Sequence, residues 1–353
     1  TMQEFVVSAP RTIEYRAHEM PPLKPNEVRV RTLLSGIKQG TDLNVYRGTT
    51  PFLTQDFDLE WRMFLPRADA QPFYPIALGS WGVGQVMEVG RDVTRVQVGQ
   101  RVHGSMLHKP TNARAESDVF PLADGVAPEA MLFTDPALFA LCAAHDAQIK
   151  TGDCVAVFGM GALGLIAIQI ARLQGAEKVF AVDTIPMRMA LAKEFGADAV
   201  FDARADDVPL ELRKLTGKKG VDSAIEFSGA YAGLNAAIKS VRQGGIVAAA
   251  GYYKTGQTGL ELGAEWHHNR PTLVSSMPAW GNSLRAHPMW DLQRLRETAA
   301  RLIEHGKLNV LPMITHRFAY ADAPQAYELL DKRADEAVKV ILEYDGGRKT
   351  RDD

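Results

Sequence analysis

The sequence predicts an α/β protein of two parts, a β-rich domain and, inserted into it, a doubly wound parallel sheet. Three observations carry this expectation. Short alternating apolar segments occupy the first third, short apolar strands alternate with helices from Pro136 onward, and at 155–164 a strand runs directly into the glycine turn of VAVFGMGALG.

In the first third, 27–32 and 83–89 alternate apolar and polar residues and 99–102 begins a further strand. Between Tyr46 and Tyr74 the pattern dissolves into Pro, aromatic and charged residues (Pro51, Phe52, Phe57, Trp61, Phe64, Pro66), which reads as a long loop over a cleft or as a plain surface excursion. From Pro136 the order is helix 137–147, strand 155–158, helix 162–174 closed by Gly175, strand 179–182 and helix 186–195 with Gly196 beyond it. Strands follow at 199–201, 223–227, 246–250 and 272–276, then a helix at 291–305. Apolar strands separated by helices imply a parallel sheet covered on both faces. The tail 312–344 mixes strand and helix and is expected to return to the first domain. The expected partition is 1–135 with 290–353 for the β-rich part and 136–289 for the inserted part.

A chain of 353 residues exceeds one ordinary core, so two domains sharing a cleft are expected. Forty Lys and Arg against 42 Asp and Glu leave a formal charge of −2, with no basic block to follow a phosphate backbone, which argues against nucleic acid as a partner. No apolar run reaches the roughly 20 residues a membrane span needs. The start of the chain alternates polar and apolar residues, unlike a signal peptide. Cys142 and Cys154 sit in apolar surroundings, as buried thiols do. A cytoplasmic enzyme acting on a small molecule fits these bounds.

The turn at 155–164 is a G-x-G-x-x-G between a strand and a helix. Gly159 allows the tight turn, Gly161 lets the backbone approach a pyrophosphate, and Gly164 lets the helix pack on the strand. The helix start, with Ala162 and Leu163, offers free N–H groups and the positive end of its dipole. The next strand ends in Asp183, nineteen residues after Gly164, where a carboxylate accepts from both ribose hydroxyls and repels a 2′-phosphate. NAD is therefore the expected cofactor. Arg188 in the following helix and Ser228 after a later strand complete the expected cofactor contacts, although a helix-surface Arg is commonly just solvated.

The chain resembles the medium-chain dehydrogenases that include the zinc alcohol, sorbitol and threonine dehydrogenases. The resemblance rests on GIKQGTDLNVYRG at 36–48, YPIALGSWGVGQVMEVG at 74–90, VGQRV at 98–102, DPA at 135–137, KTGDCVAVFGMGALG, GVDSAIEFSG at 220–229 and GGIVAAAGYY at 244–253. It implies a GroES-like β-rich catalytic domain, an inserted Rossmann domain and a cleft between them. It also shows departures. The family's zinc enzymes carry a cysteine where this chain has Gln39 and His-Glu where it has Ser80 and Trp81, leaving Asp135 alone among the ligand positions. A catalytic zinc needs three protein ligands, and one carboxylate does not supply them. The segment 104–117 contains no cysteine, so the four-cysteine lobe of a structural zinc is missing too. The pattern is closer to the zinc-free branches, and no metal is expected. The nine histidines are read as scattered surface residues, with His305 at a helix C-terminus.

Without zinc, the alcohol proton needs another handler. The resemblance places Thr41 at the proton-relay hydroxyl and Asn44 where relatives keep a relay histidine. Lys38, beside apolar Ile37, is the other candidate, since burial would bring its amine toward the working pH, while a solvent-facing loop lysine is the alternative. Asp42, which orients a metal ligand in zinc relatives, would hold Lys38 or shape the turn. Ser80, Trp81, Asn44 and Asp135 are expected to line the substrate pocket, with plain packing as the alternative for Ser80 and Trp81.

Three functions stay open at this point: an NAD-dependent dehydrogenase of a secondary alcohol (polyol, sugar derivative or ring alcohol), a zinc-free enone or quinone reductase, and a dinucleotide-binding protein without turnover. The apolar segment 273–278 suggests a sheet edge that joins copies into a homodimer or homotetramer.

Overall fold

The computed structural model describes residues 2–67, 72–253, 259–280, 282 and 287–344. Two compact units result, Thr1–Phe133 with Ile314–Asp353, and Thr134–Met313. The first contains β1 (Gln3–Ala9), β2 (Thr12–Ala17), β3 (Glu27–Gly36), α1 (Gln39–Arg47), β4 (Gln55–Asp58), β5 (Met63–Pro66), β6 (Trp81–Val89), β7 (Arg101–Gly104), β8 (Thr111–Ala115) and β9 (Val119–Pro121). The second contains α2 (Thr134–Asp146), β10 (Cys154–Phe158), α3 (Ala162–Leu173), β11 (Lys178–Asp183), α4 (Pro186–Glu194), β12 (Ala199–Asp202), α5 (Val208–Leu215), β13 (Val221–Glu226), α6 (Tyr231–Ser240), β14 (Val241–Ala249), α7 (His267–Asn269), β15 (Thr272–Ser275) and α8 (Leu292–Glu304). The chain then returns to the first unit through β16 (Ile314–Ala319), α9 (Ala323–Lys332) and β17 (Lys339–Glu343).

In the first unit seven strands form one sheet in the order β16-β17-β3-β6-β7-β9, with β8 paired to β3. Alternation along β3 and β6 turns Val28, Val30 and Val86 inward, where they meet Val102, Met106 and Val119. A second cluster packs Phe5, Val7 and Ile37 against Leu43 and Tyr46 of α1 and Tyr327 and Leu330 of α9. The stretch 46–74, expected as a loop, folds in part into an antiparallel hairpin with Gln55 opposite Pro66 and Asp58 opposite Met63. Edge-to-face contacts of Phe64 with Phe52 and Phe57 hold it, which is why its aromatic composition hides the strand period. Positions 68–71 of that stretch lie outside the described residues.

The second unit is the doubly wound sheet, six parallel strands in the order β12-β11-β10-β13-β14-β15. Its strands read as continuous apolar runs because helices cover both faces, and Ala156, Phe158, Phe180, Val182, Ala224 and Val247 share one core cluster. The chain reverses direction across the sheet between β10 and β13, the switch point at which ligands of such sheets bind. Helix α8, which the sequence-based partition assigned to the outer domain, packs on α2 of this unit through Leu295, Ala299 and Ile303, all buried. Asp291 caps it, accepting the Arg294 N–H at 2.7 Å.

Several histidines expected at the surface are buried, namely His18, His103 and His108. His103 stacks against Phe120, lies 5.9 Å from the Trp81 ring, and leaves both ring nitrogens without a hydrogen-bond partner. Burial brings its pKa down to about 4, and burial does the same for His145 on α2, packed by Trp290. A histidine kept neutral in the fold takes up a proton on unfolding near its usual 6.5. Its contribution is therefore complete above about pH 6.5 and falls as the pH drops toward 4, by about 3 kcal/mol for His103. The urea midpoint should accordingly be lower at pH 5 than at pH 7, and His103→Phe should shrink that difference. A midpoint equal at both pH values for the wild type would mean that the ring is solvated.

Candidate active site

The glycine turn begins where β10 ends. Gly159 has φ +88, in the left-handed region, and a Cβ there would lie 2.6 Å from the backbone nitrogen of Ser228. Gly164 faces the turn itself, since a Cβ would lie 1.9 Å from the carbonyl oxygen of Gly159. Gly161 differs from both. It is the N-cap of α3, no side chain caps the helix there, and nothing lies within 4 Å of where its Cβ would be. The open space in front of an uncapped helix start, next to half-buried Ala162 and Leu163, fits a pyrophosphate.

Asp183, at the end of β11, is 8% exposed. Its Oδ2 accepts the Met160 N–H at 2.5 Å, and its Oδ1 accepts those of Thr184 and Ile185 at 2.7 and 2.9 Å. The carboxylate thus holds the glycine turn to the neighbouring strand. Three of roughly four acceptor positions are in use, which leaves one for a ribose hydroxyl and not the two that the sequence reading expected. Arg188 is half-buried in the first turn of α4, two residues past Pro186. Ser228 follows β13, its hydroxyl donating to Glu226.

The first unit holds the residues expected to handle the proton. Lys38 occupies the N-cap position of α1 without a side-chain capping hydrogen bond, half-buried, and its backbone N–H donates to Asp42 Oδ2 at 2.9 Å. Asp42 therefore shapes this turn through the backbone of Lys38. Thr41 is exposed in the first turn of the helix. Asn44 folds back on α1, donating to the Gly40 carbonyl at 2.7 Å. Ser80 is half-buried, whereas Trp81 is 3% exposed and packs against His103 and Phe120 in the core. Asp135 lies in the first turn of α2, in the second unit, half-buried.

Three residues of these surroundings were not read from the sequence. His108 is buried and takes the place of an imidazole partner for Asp42: its Nε2 donates to Asp42 Oδ2 at 3.4 Å, and its Nδ1 accepts from the Ser35 hydroxyl at 2.7 Å. Lys339, also buried, donates to the Ile37 carbonyl at 3.2 Å, and Gly36 makes room for it, since a Cβ there would lie 2.7 Å from its Cε. Glu226 is fully buried beside the glycine turn. An acid at the end of an apolar strand is a legible signal for Glu226; His108 and Lys339 carry none, because each is brought to the site by pairing between distant segments.

These residues do not make a zinc site. The side chain at 39 is an amide, the indole at 81 offers a donor and no lone pair, and among the described residues no group of three His, Cys, Asp or Glu is placed to hold a metal. What position 39 does offer is a donor, since the Gln39 amide nitrogen is buried without a hydrogen-bond partner.

A GroES-like β domain and a Rossmann sheet with this turn define a class of nicotinamide-dependent oxidoreductases, and comparison with known proteins agrees. The model described as alcohol dehydrogenase GroES-like domain matches residues 24–135, and the one described as zinc-binding dehydrogenase matches 162–291. D-guloside 3-dehydrogenase of Escherichia coli is 33% identical over 351 residues, spanning 97% of this chain and 100% of its own. Sorbitol dehydrogenase 2 of Saccharomyces cerevisiae is 30% identical over 305 residues, spanning 76% of this chain and 82% of its own. The solved alcohol dehydrogenase TADH from Thermus sp. ATN1 matches with a TM-score of 0.78 at 25% identity, over 97% of this chain and 100% of its own. The chain belongs to the zinc-type alcohol dehydrogenase family of medium-chain dehydrogenases, and is an alcohol dehydrogenase-like oxidoreductase.

The glycine turn separates two roles that can be tested apart. Gly161→Ala should leave the thermal midpoint of the ligand-free protein unchanged, because its methyl meets no protein atom, and should weaken NADH binding at least about tenfold by obstructing the phosphates. Gly164→Ala should lower the midpoint by several degrees, about the effect of 1 to 3 kcal/mol of overpacking. Calorimetry and NADH fluorescence measure both; an NADH affinity that survives Gly161→Ala would place the cofactor elsewhere.

Proposed function

We propose that this oxidoreductase transfers a hydride between a secondary hydroxyl of a polyol or sugar derivative and NAD(H), without a metal ion. The observation that carries the reading is the end-to-end likeness to D-guloside 3-dehydrogenase, a protein whose name states a ring alcohol of a sugar derivative as its substrate. Asp183 supports NAD, because a 2′-phosphate at that strand end would meet a carboxylate. The amide at 39, the hydroxyl at 80 and the indole at 81 support independence from zinc.

The nicotinamide, when bound, supplies the hydride acceptor. The protein's part is to orient the carbinol carbon and to manage the oxygen. Once its proton has left, the oxygen carries negative charge until the hydride departs and the carbonyl forms, and the Lys38 amine and the Gln39 amide, neighbours at the start of α1, are the proposed hydrogen-bond donors to it. The Thr41 hydroxyl, exposed on the same helix, passes the proton to water. Asp42 fixes the turn by accepting the Lys38 N–H.

In this reading the protein works as a homodimer or a dimer of such dimers through β15, the edge strand of the second unit, where Leu273 and nearby Met277 are exposed. A monomeric mass in solution would count against that assembly. The thiols of Cys142 and Cys154 are both free, as suits a reducing compartment such as the cytoplasm.

An assay of purified protein with NAD⁺ or NADP⁺ against pyranosides, polyols and simple secondary alcohols tests the function. NADH should form with sugar-type substrates, faster with NAD⁺ than with NADP⁺, and the rate should survive a strong chelator. One zinc per chain, lost together with turnover, would overturn the metal-free reading; cofactor binding without any turnover would favour a non-catalytic protein. On the best substrate Lys38→Met should lower kcat by about a hundred- to a thousandfold while NADH affinity stays the same, as loss of a preorganised donor does. Thr41→Val should act in the same direction with less change in pH profile. A Lys38→Met variant at nearly the wild-type rate would move the proton path to other residues.

A further inference from the structure

The ends of β13 and β14 are joined by a carboxyl that neither the glycine turn nor the proton path described above uses. Glu226, the last residue of β13, is fully buried. Its Oε1 accepts the backbone N–H of Ser228 at 2.7 Å and also the Ser228 hydroxyl. Its Oε2 accepts the Gly229 N–H at 3.3 Å and the phenol of Tyr253. Its backbone carbonyl receives the N–H groups of Ala250 and Gly251, both at 2.9 Å. One residue thus ties the turn after β13 to the turn after β14.

Glycines clear the space around this carboxyl. A Cβ at Gly233 would lie 2.6 Å from the Ser228 hydroxyl and 3.0 Å from Glu226 Oε1, and one at Gly251 would lie 2.8 Å from Glu226 Oε2. The same turn leans on the glycine-rich one, since Ser228 is the residue a Cβ on Gly159 would strike and the Phe227 N–H donates to the Phe158 carbonyl at 2.8 Å. Burial raises the pKa of Glu226 and its hydrogen bonds oppose that rise. A buried carboxyl costs more to desolvate than an apolar side chain of the same size, so packing alone does not account for it.

We propose that Glu226 is a positioning residue of the dinucleotide site, holding the Ser228–Gly229 and Gly251–Tyr253 turns in the arrangement that receives the nicotinamide half of the cofactor. The proposal rests on the reading of 159–164 as the pyrophosphate turn. The sheet order supports the division of labour: β11, with Asp183, lies on one side of β10, and β13 and β14 lie on the other. All the hydrogen bonds of Glu226 given above are on the second side. The adenosine half of the cofactor, served from the Asp183 side, should therefore be indifferent to Glu226.

Calorimetric titration of the whole protein with NADH and, separately, with AMP tests this in the wild type, Glu226→Gln and Tyr253→Phe, with the thermal midpoint of each unliganded protein. Glu226→Gln should raise the Kd for NADH about tenfold, the effect of losing a charge-assisted hydrogen-bond network at the site, and leave that for AMP within about a factor of two. Tyr253→Phe should give a smaller loss of NADH affinity with the same indifference toward AMP and an unchanged midpoint, and it decides the matter alone if Glu226→Gln does not fold. Equal weakening of both ligands would make Glu226 a fold element only, and unchanged NADH affinity in the folded variants would likewise overturn the proposal. A wild type that binds neither NADH, NADPH nor AMP would remove the pyrophosphate turn itself, an outcome distinct from the other two.

Discussion

Helix α3 reaches the end of β10 only because residue 164 has no side chain, a Cβ there being 1.9 Å from the Gly159 carbonyl oxygen. That approach puts the first turn of the helix at the switch point of the sheet, and the rest of the second unit is arranged around it. Gly159 can bend because the Ser228 turn comes close without a side chain in between, and Asp183 holds the bend by accepting the Met160 N–H. Each contact uses backbone groups, so the geometry depends on what the side chains omit as much as on what they supply.

The first unit solves a different problem with buried polar groups. Tyr344 donates to the Ser35 hydroxyl, Ser35 to His108 Nδ1, His108 Nε2 to Asp42, and Asp42 accepts the Lys38 N–H, a chain that runs from β3 to the start of α1. Because a carboxylate only accepts, the direction of the chain is set at its Asp42 end. Such a network is costly if any member is unsatisfied and rigid if all are. Its product is a fixed position for the turn that carries Lys38, Gln39 and Thr41. Ser80 has no imidazole to offer Asp42, and the one that Asp42 meets comes from His108.

The replaced ligand positions keep a polar role without being metal donors. A buried amide nitrogen with no partner, as at Gln39, costs free energy in the unliganded protein unless a ligand oxygen or water relieves it. Trp81 goes the other way. Its ring is taken into the core with His103 and Phe120, in an aromatic layer.

The strand, glycine turn and helix proposed to hold the nucleotide were legible along the chain because each part is local: a strand, a turn, a helix start and an acid one strand later lie within 155–183, and their spacing is dictated by helix and strand geometry. The residue types at 39, 80 and 81 were equally plain, being read directly from the GIKQGTD and GSWG segments. Tertiary structure decided what sequence spacing does not encode. It placed His108 under α1, Lys339 under Gly36 and Tyr253 on Glu226, pairs separated by tens to hundreds of residues. It also buried histidines that read as surface residues and turned an aromatic-rich stretch into a hairpin, since burial follows from which segments meet across the sheet. Local chemistry determined the glycine turn; only pairing between distant strands determined which polar groups are held around it and around the start of α1.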